Sequence, residues 1–115
     1  MRHLKKGRKF GRERDQRKAL LKSMASSFFV LGRIETTEAK AKELRPFVER
    51  IITHAKNPTM AVRRSLAQYF AADIIKKIIK RSEEFRDRPG GYARIVKVSA
   101  RKRDGARRAI LELVK

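Results

Sequence analysis

The positive charge of this sequence is concentrated at its N-terminus. Residues 1–18 contain nine Lys or Arg and two acidic residues, a net charge of +7, and their large apolar side chains are only Met1, Leu4 and Phe10. Such a segment cannot bury enough apolar surface to offset the entropy lost on ordering. We therefore predict a basic arm over residues 1–18 that is disordered without its partner, and a single folded domain over residues 15–115.

The overall charge indicates a polyanionic partner. The 115 residues carry a net charge of +20, while 41% of them are hydrophobic, which is enough for one modest core. Nucleic acid would relieve the self-repulsion and release counterions on binding. The sequence has neither about 18 uninterrupted apolar residues nor an apolar N-terminal stretch typical of a signal peptide. We expect a cytoplasmic protein with no membrane partner and no small-molecule substrate.

Residues suited to catalysis or metal binding are scarce. There is no cysteine, and the two histidines, His3 and His54, have no carboxylate at metal-ligand spacing. A nuclease would need paired carboxylates for metal or a base with its acid. Glu83, Glu84 and Asp87 form an acidic cluster, but neighbouring Lys and Arg residues account for it by charge balance. We predict no enzymatic activity, no metal and no cofactor.

Apolar periodicity predicts helices in the first half of the domain. Spacings of four, four and three between residues 20 and 31 predict a helix from an N-cap at Asp15 to Gly32. The β-branched residues that follow predict a short strand over 33–36, ending at a Thr N-cap. A second helix is predicted from 38 to about 56. Pro46 lies inside it, so we expect a kink or break near Leu44, unless packing absorbs a cost of roughly 3 kcal/mol.

The second half of the domain alternates turn signals with apolar runs. Residues 59–82 predict one helix or two, with Asp73 as a possible cap of the second. A turn at 88–91 and alternating apolar residues over 92–100 and 109–114 predict a β-hairpin. The predicted fold class is α+β, with three to four helices packed on a small mixed sheet of about three strands, a C-terminal β-hairpin and a basic N-terminal arm.

A second basic region surrounds the predicted hairpin. Residues 86–108 contain nine Lys or Arg against Asp87 and Asp104, again a net charge of +7. Arginine suits planar, bidentate contact with phosphate. Phe10 and Tyr92 are candidates for stacking on an unpaired base, although packing within the hairpin is the alternative for Tyr92. We expect both basic regions to read the shape of a nucleic-acid backbone and not its sequence.

Several short motifs occur in a fixed order along essentially the whole chain. They are Met1-Arg2-His3, Gly7-Arg8-Lys9, Thr36-Thr37, Lys40-Ala41-Lys42-Glu43-Leu44-Arg45, Arg63-Arg64, Arg88-Pro89-Gly90-Gly91-Tyr92 and Glu112-Leu113-Val114. Each motif alone is weak, but the ordered set resembles one family, ribosomal protein seventeen of the bacterial large subunit. The sequence departs from the family at Glu13, Asp15 and Gln16, where uncharged polar residues and a histidine are usual.

The resemblance implies a structural constituent of the large ribosomal subunit, with an α+β fold and no chemistry of its own. It implies contacts with large-subunit ribosomal RNA near the exit of the polypeptide tunnel, and with neighbouring large-subunit ribosomal proteins. The RNA contacts that it implies are Arg2, His3, Gly7, Arg8, Lys9, Lys40, Lys42, Arg45, Arg63, Arg64, Gly90, Gly91, Tyr92 and Arg94. The charge pattern adds Lys5, Lys6, Arg12, Arg14, Arg17, Lys18, Arg88, Arg101, Lys102 and Arg103.

An architectural DNA-binding protein of the nucleoid is the alternative. The same charge would serve it, but a helix-turn-helix needs a tight turn, often with glycine, between two short helices. The candidate joint here is Asn57-Pro58-Thr59. The DNA-binding hypothesis therefore rests on charge alone.

Overall fold

The computed structural model of the chain describes residues 14–114. The elements in chain order are α1 (Arg14–Leu31), β1 (Arg33–Thr37), α2 (Glu38–Ala55), α3 (Met60–Ala67), α4 (Ala72–Glu83), β2 (Ala93–Val98) and β3 (Arg108–Leu113). The predicted α+β class, with helices packed on a three-stranded sheet, is confirmed. The sequence left open whether residues 59–82 form one helix or two, and the structure has two, α3 and α4.

The three strands form a sheet in the order β1-β3-β2. Strands β2 and β3 form the predicted hairpin, and β1 pairs with the other side of β3. In the central row, Ile34 lies opposite Leu111, which in turn lies opposite Ile95. Both outer strands run antiparallel to β3, so the prediction of a mixed sheet is wrong. Strands β1 and β2 are therefore parallel to each other, but β3 lies between them. The helices that connect β1 to β2 carry the chain from one side of β3 to the other.

Helix α2 lies at the centre of the domain. It contacts all three strands and all three other helices. Its buried residues include Leu44, Val48 and Ile52, none of which has exposed surface. They are spaced four apart, so they lie on one face of the helix. The apolar spacing in the sequence predicts a core face of Leu44, Val48, Ile51 and Ala55, and all four are buried, so the other elements pack around this face.

Helix α2 runs without interruption through Pro46. The predicted break near Leu44 is wrong, because the helix continues on both sides of the proline. Pro46 is exposed, and Leu44 and Val48 on either side of it are completely buried. Two buried apolar side chains thus flank the position at which Pro46 removes a backbone hydrogen bond. Their burial in the core stabilises the helix across this position.

Threonine and aspartate behave differently at the helix starts. Thr37 and Thr59 are N-caps as their side chains accept hydrogen bonds from the backbone N–H groups of Lys40 and Val62. The predicted caps Asp15 and Asp73 are wrong, because Asp15 lies within α1 and Asp73 lies in the first turn of α4. The helix dipole also favours an acidic residue in the first turn. An aspartate near the start of a helical pattern can therefore be either an N-cap or a first-turn residue, and the sequence does not distinguish the two.

Arg81 joins the end of α1 to α4. Its Nε donates to the carbonyl oxygen of Phe29 at 2.5 Å, and its Nη2 donates to that of Val30 at 3.0 Å. These carbonyls belong to the last turn of α1, where partners within the helix are lacking. Gly32 ends the helix with φ at +80°, and a Cβ added there would lie 3.0 Å from the Arg81 Nη1. This cation is therefore a structural cap.

Substituting Gly32 tests this junction. We expect Gly105→Ala, at φ +68° with open space around it, to cost about 1–2 kcal/mol through backbone conformation alone. Gly32→Ala should cost about 1 kcal/mol more, because the Arg81 guanidinium has to shift away from the new methyl group by a few tenths of an ångström and its hydrogen bonds to the carbonyls weaken. Urea unfolding followed by circular dichroism measures both. Equal losses for the two variants would show that the Arg81 guanidinium accommodates the methyl group without weakening its hydrogen bonds to the carbonyls.

Glu38 is a largely buried acid at the start of α2. Its Oε1 lies 2.9 Å from the Lys42 Nζ and 3.7 Å from the Lys97 Nζ. Its backbone N–H donates to the carbonyl oxygen of Arg107 at 2.9 Å, which fixes the helix start to the hairpin. The hydrogen bond from Lys42 lowers the pKa of the carboxyl below its ordinary value, against an opposing effect of burial, and the charges of Lys42, Lys97 and Arg107 add to the lowering.

A lowered pKa makes the contribution of Glu38 dependent on pH. The stabilisation is complete above the unfolded pKa of about 4.3 and disappears as the pH falls through the folded value. We expect Glu38→Gln to lower the urea midpoint at pH 7 and to differ less from the parent as the pH approaches 3. Glu43→Gln on the same helix is the control, because Glu43 makes none of the described ion pairs. A deficit that persisted unchanged at pH 3 would contradict this account.

Candidate nucleic-acid interface

The predicted contacts of the basic arm fall into two groups. Arg2, His3, Lys5, Lys6, Gly7, Arg8, Lys9 and Arg12, with the candidate stacking residue Phe10, lie outside the described residues. Arg14, Arg17 and Lys18 lie in the first turns of α1, with Arg14 and Lys18 exposed and Arg17 half-buried. The helix therefore includes Arg14, which the sequence assigned to the arm alone, and residues 15–18, which it assigned both to the arm and to the start of the domain.

The loop between β2 and β3 presents a group of cations in a defined shape. Asp104 organises it, since its Oδ1 accepts the Ala106 N–H at 3.1 Å and its Oδ2 accepts from Arg101 at 3.0 Å. The hydrogen bond from Ala106 is the main cause of a lowered pKa at Asp104, and the charge of Arg101 adds to it. Lys102 and Arg103 are exposed at the tip and make none of the described ion pairs. They are the residues of this loop best placed to meet a phosphate.

The turn at Gly90-Gly91 is open to solvent on its outer side. A Cβ added to either glycine would meet no atom within 4 Å, and Gly91 has φ at +65°. The turn is held from within, because Lys56 donates to the carbonyl oxygen of Arg88 at 2.5 Å and Arg88 donates to that of Gly91 at 3.4 Å. The glycines leave room for the backbone of another molecule to approach closely.

Tyr92 follows this turn but is not available for stacking. Only 1% of it is exposed, and its ring packs edge-on against Phe85 with 5.3 Å between centroids. Its backbone N–H donates to the Glu49 carboxylate at 2.9 Å, and its hydroxyl accepts from Thr53 at 3.2 Å. Burial raises the pKa of the phenol, but hydrogen bonds from Lys56 and Thr53 outweigh this and lower it. Base stacking by Tyr92 is therefore wrong, and its ring packs against Phe85 and the end of α2, whereas the alternative had placed it within the hairpin.

Several predicted contacts are exposed but already paired with an acid. Lys42 pairs with Glu38 at 2.9 Å, Arg45 with Glu49 at 3.3 Å and Arg94 with Glu112 at 2.6 Å. The side chains of these three cations are between 45% and 63% exposed. An exposed ion pair contributes about 0–1 kcal/mol, so a phosphate can compete for the cation. Pairing reduces the net charge at these positions without hiding the cations.

Other cations make no described ion pair. Among the predicted contacts these include Lys40, which is half-buried, and Arg63 and Arg64, which are exposed on α3. The sequence analysis missed a stripe on α4, where Lys76, Lys77 and Lys80 are all exposed on the side opposite the buried isoleucines. The signal was present in the i, i+1, i+4 spacing, which places all three on one side of a helix.

The described residues carry a large excess of positive charge on their surface. Residues 14–114 contain 25 Lys or Arg against 11 acidic residues. No group of three or more His, Asp or Glu that could hold a metal ion occurs among them, and none of the described helices is long and apolar enough to cross a membrane. The features that stand out chemically are exposed cations around open backbone turns, and these suit a polyanion.

The chain matches the model of a protein family described as ribosomal protein L17 over residues 20–114. It is 48% identical to the large ribosomal subunit protein bL17 of Gemmatimonas aurantiaca over 118 aligned residues, which cover 99% of this chain and 98% of the relative. It is 47% identical to the protein of the same name from Fusobacterium nucleatum, covering 99% of this chain and all of the relative. A third relative of that name, from Natranaerobius thermophilus, is 46% identical over 93% of this chain and 96% of its own length.

The match therefore extends from the core helices through the hairpin, and the relatives align over almost their whole length. The ordered motifs quoted from the sequence lie within these alignments, which confirms the resemblance that they indicated. This chain belongs to the ribosomal protein L17 family.

Proposed function

We propose that this protein is a structural constituent of the large ribosomal subunit, which binds and stabilises ribosomal RNA in the cytoplasmic ribosome and so supports translation. Membership of the L17 family over nearly the full chain is the observation that carries the proposal. The exposed cations supply the physical means. The partners are large-subunit ribosomal RNA and neighbouring large-subunit ribosomal proteins, and the role requires no catalysis.

The geometry favours reading of the RNA backbone. The hairpin loop holds Lys102 and Arg103 on a framework of short hydrogen bonds, and the Gly90-Gly91 turn leaves space beside Arg88. Phosphate contacts of this kind set position and orientation without reading bases. The arm over residues 1–18 supplies further charge, and we propose that the part before α1, residues 1–13, is disordered in the free protein and orders where RNA helices crowd together. The domain over 15–115 then acts as its anchor.

The architectural DNA-binding alternative has weaker support. Helices α3 and α4 are joined through residues 68–71, and α4 directs its apolar face into the core. Arg63 and Arg64 give α3 charge, but the helix has only eight residues. Comparison of affinity for structured large-subunit RNA with affinity for duplex DNA of equal length separates the two. Equal affinities would favour the DNA hypothesis.

The hairpin tip should contribute to the salt dependence of RNA binding. If the whole protein contacts about eight phosphates, log K should fall with log salt at a slope of roughly −7. Replacing Lys102 and Arg103 by Gln should make the slope shallower by about 2, one for each lost phosphate contact. The charge-conserving pair Lys102→Arg and Arg103→Lys is the control and should keep the parent slope. An unchanged slope in the Gln variant would exclude these two residues from the interface.

The Gly90-Gly91 turn allows a test in which the fold is not affected. Gly90 does not have a positive φ, and an added Cβ meets no atom within 4 Å. Gly90→Ala and Gly90→Val should therefore keep the urea midpoint of the parent. If RNA approaches the turn, both variants should bind it several-fold more weakly, and Val should have the larger effect because its side chain occupies more of the space. Parent-like binding by both variants would remove this turn from the proposed interface.

A further inference from the structure

A cleft lies between α2 and α3, away from the hairpin loop. Its volume is about 480 Å³, and its apolar walls include Phe47, Ile51, Val62 and Leu66, with Tyr69 at one side. Cavities of about 300–1,000 Å³ accommodate small organic ligands, so a nucleobase with part of its sugar would fit. Two of its wall residues, Ile51 and Leu66, belong to the buried core, and Arg50 and His54 also line the groove beside the Gly90-Gly91 turn.

Tyr69 differs from the other tyrosine of the chain in its exposure. It is 45% exposed, whereas Tyr92 is 1% exposed. The Lys22 ammonium lies over the Tyr69 ring, 4.8 Å from its centroid, so one face of the ring carries a cation–π contact and a base would stack on the opposite face. An exposed aromatic ring beside a cation is the combination on which unstacked nucleobases pack in proteins that bind single-stranded RNA.

The polar groups of the cleft are suited to an anion. Arg50 and His54 line it from α2, both are exposed, and none of the residues that line it is acidic. Arg50 makes none of the described ion pairs. A ligand that matches these features has a flat apolar part for the walls and a negative charge within reach of Arg50. A nucleotide combines both.

We propose that this cleft receives a single unpaired base of ribosomal RNA, turned out of its own helix. Tyr69 forms the stacking surface, the apolar walls enclose the base, and Arg50 binds the adjoining phosphate. The proposal rests on the proposed function, because it places one nucleotide of the same RNA partner. An apolar side chain from a neighbouring protein is the rival occupant, but such a side chain would leave Arg50 without an anion.

Tryptophan fluorescence can report on the cleft directly, since the sequence contains no tryptophan. The full chain carrying Tyr69→Trp is titrated with a full-length transcript of large-subunit ribosomal RNA. The proposal predicts a marked loss of tryptophan emission when RNA binds, because a base stacks on the indole. The matched control is Leu31→Trp at the end of α1, a residue that is 66% exposed and does not line the cleft, and its emission should change much less.

Affinity provides a second measurement. Tyr69→Ala should weaken binding to the same transcript by about five- to one-hundred-fold, the range expected for loss of one base–aromatic stack. Tyr69→Phe keeps the ring and should bind like the parent. Arg50→Gln should make the salt slope shallower by about 1. The urea midpoint of each variant is measured alongside, so that only variants as stable as the parent are compared.

The outcomes separate the cleft from the proposed function as a whole. If the transcript binds tightly but emission at the two tryptophan positions changes equally, or Tyr69→Ala binds like the parent, the cleft proposal is overturned and the proposed function stands. If the parent protein does not bind the transcript at all, both fail. Loss of emission upon addition of a purified neighbouring ribosomal protein, without RNA, would assign the cleft to the rival occupant.

Discussion

The burial of one face of α2 is the interaction on which the rest of the structure depends. Leu44, Val48 and Ile52 have no exposed surface, and the helix contacts every other described element. Burial of a large aliphatic side chain contributes about 1.5–3 kcal/mol, so these residues outweigh the backbone bond lost at Pro46. Because the domain is small, few other apolar contacts are available to replace them. The strands and the other helices are placed by contact with this one surface.

A compact core leaves most of the charged residues outside, and the structure divides the cations by role. Arg81 caps the end of α1, and Lys42 pairs with Glu38. Lys102 and Arg103 extend from a loop whose shape Asp104 maintains. A high net charge alone therefore overstates the number of cations available to a partner. Which cations remain available to a partner depends on the carbonyl and carboxylate groups that the fold brings close to each of them.

The two tyrosines show where prediction from sequence succeeded and where it did not. Tyr92 stands beside two glycines and several arginines, which is typical of a contact residue, yet Phe85 and Lys56 enclose it. Tyr69 follows an apolar helical run, which is typical of a core residue, yet 45% of it is exposed beside a cleft. Local pattern identified the elements that carry these residues. It did not determine which side of each residue a distant helix would cover.

The sequence by itself determined the α+β class, the core face of α2, the hairpin and the family, because periodicity, turn residues and ordered motifs are local properties of the chain. The net charge of +20 also predicts a polyanionic partner, because charge is additive along the chain. Only the tertiary structure decided that the sheet is wholly antiparallel, that Arg81 is a cap and that a cleft opens between α2 and α3. These features depend on contacts between residues that are far apart in the chain. The free energy of each such contact depends on how the side chains pack in three dimensions, which the local sequence does not specify.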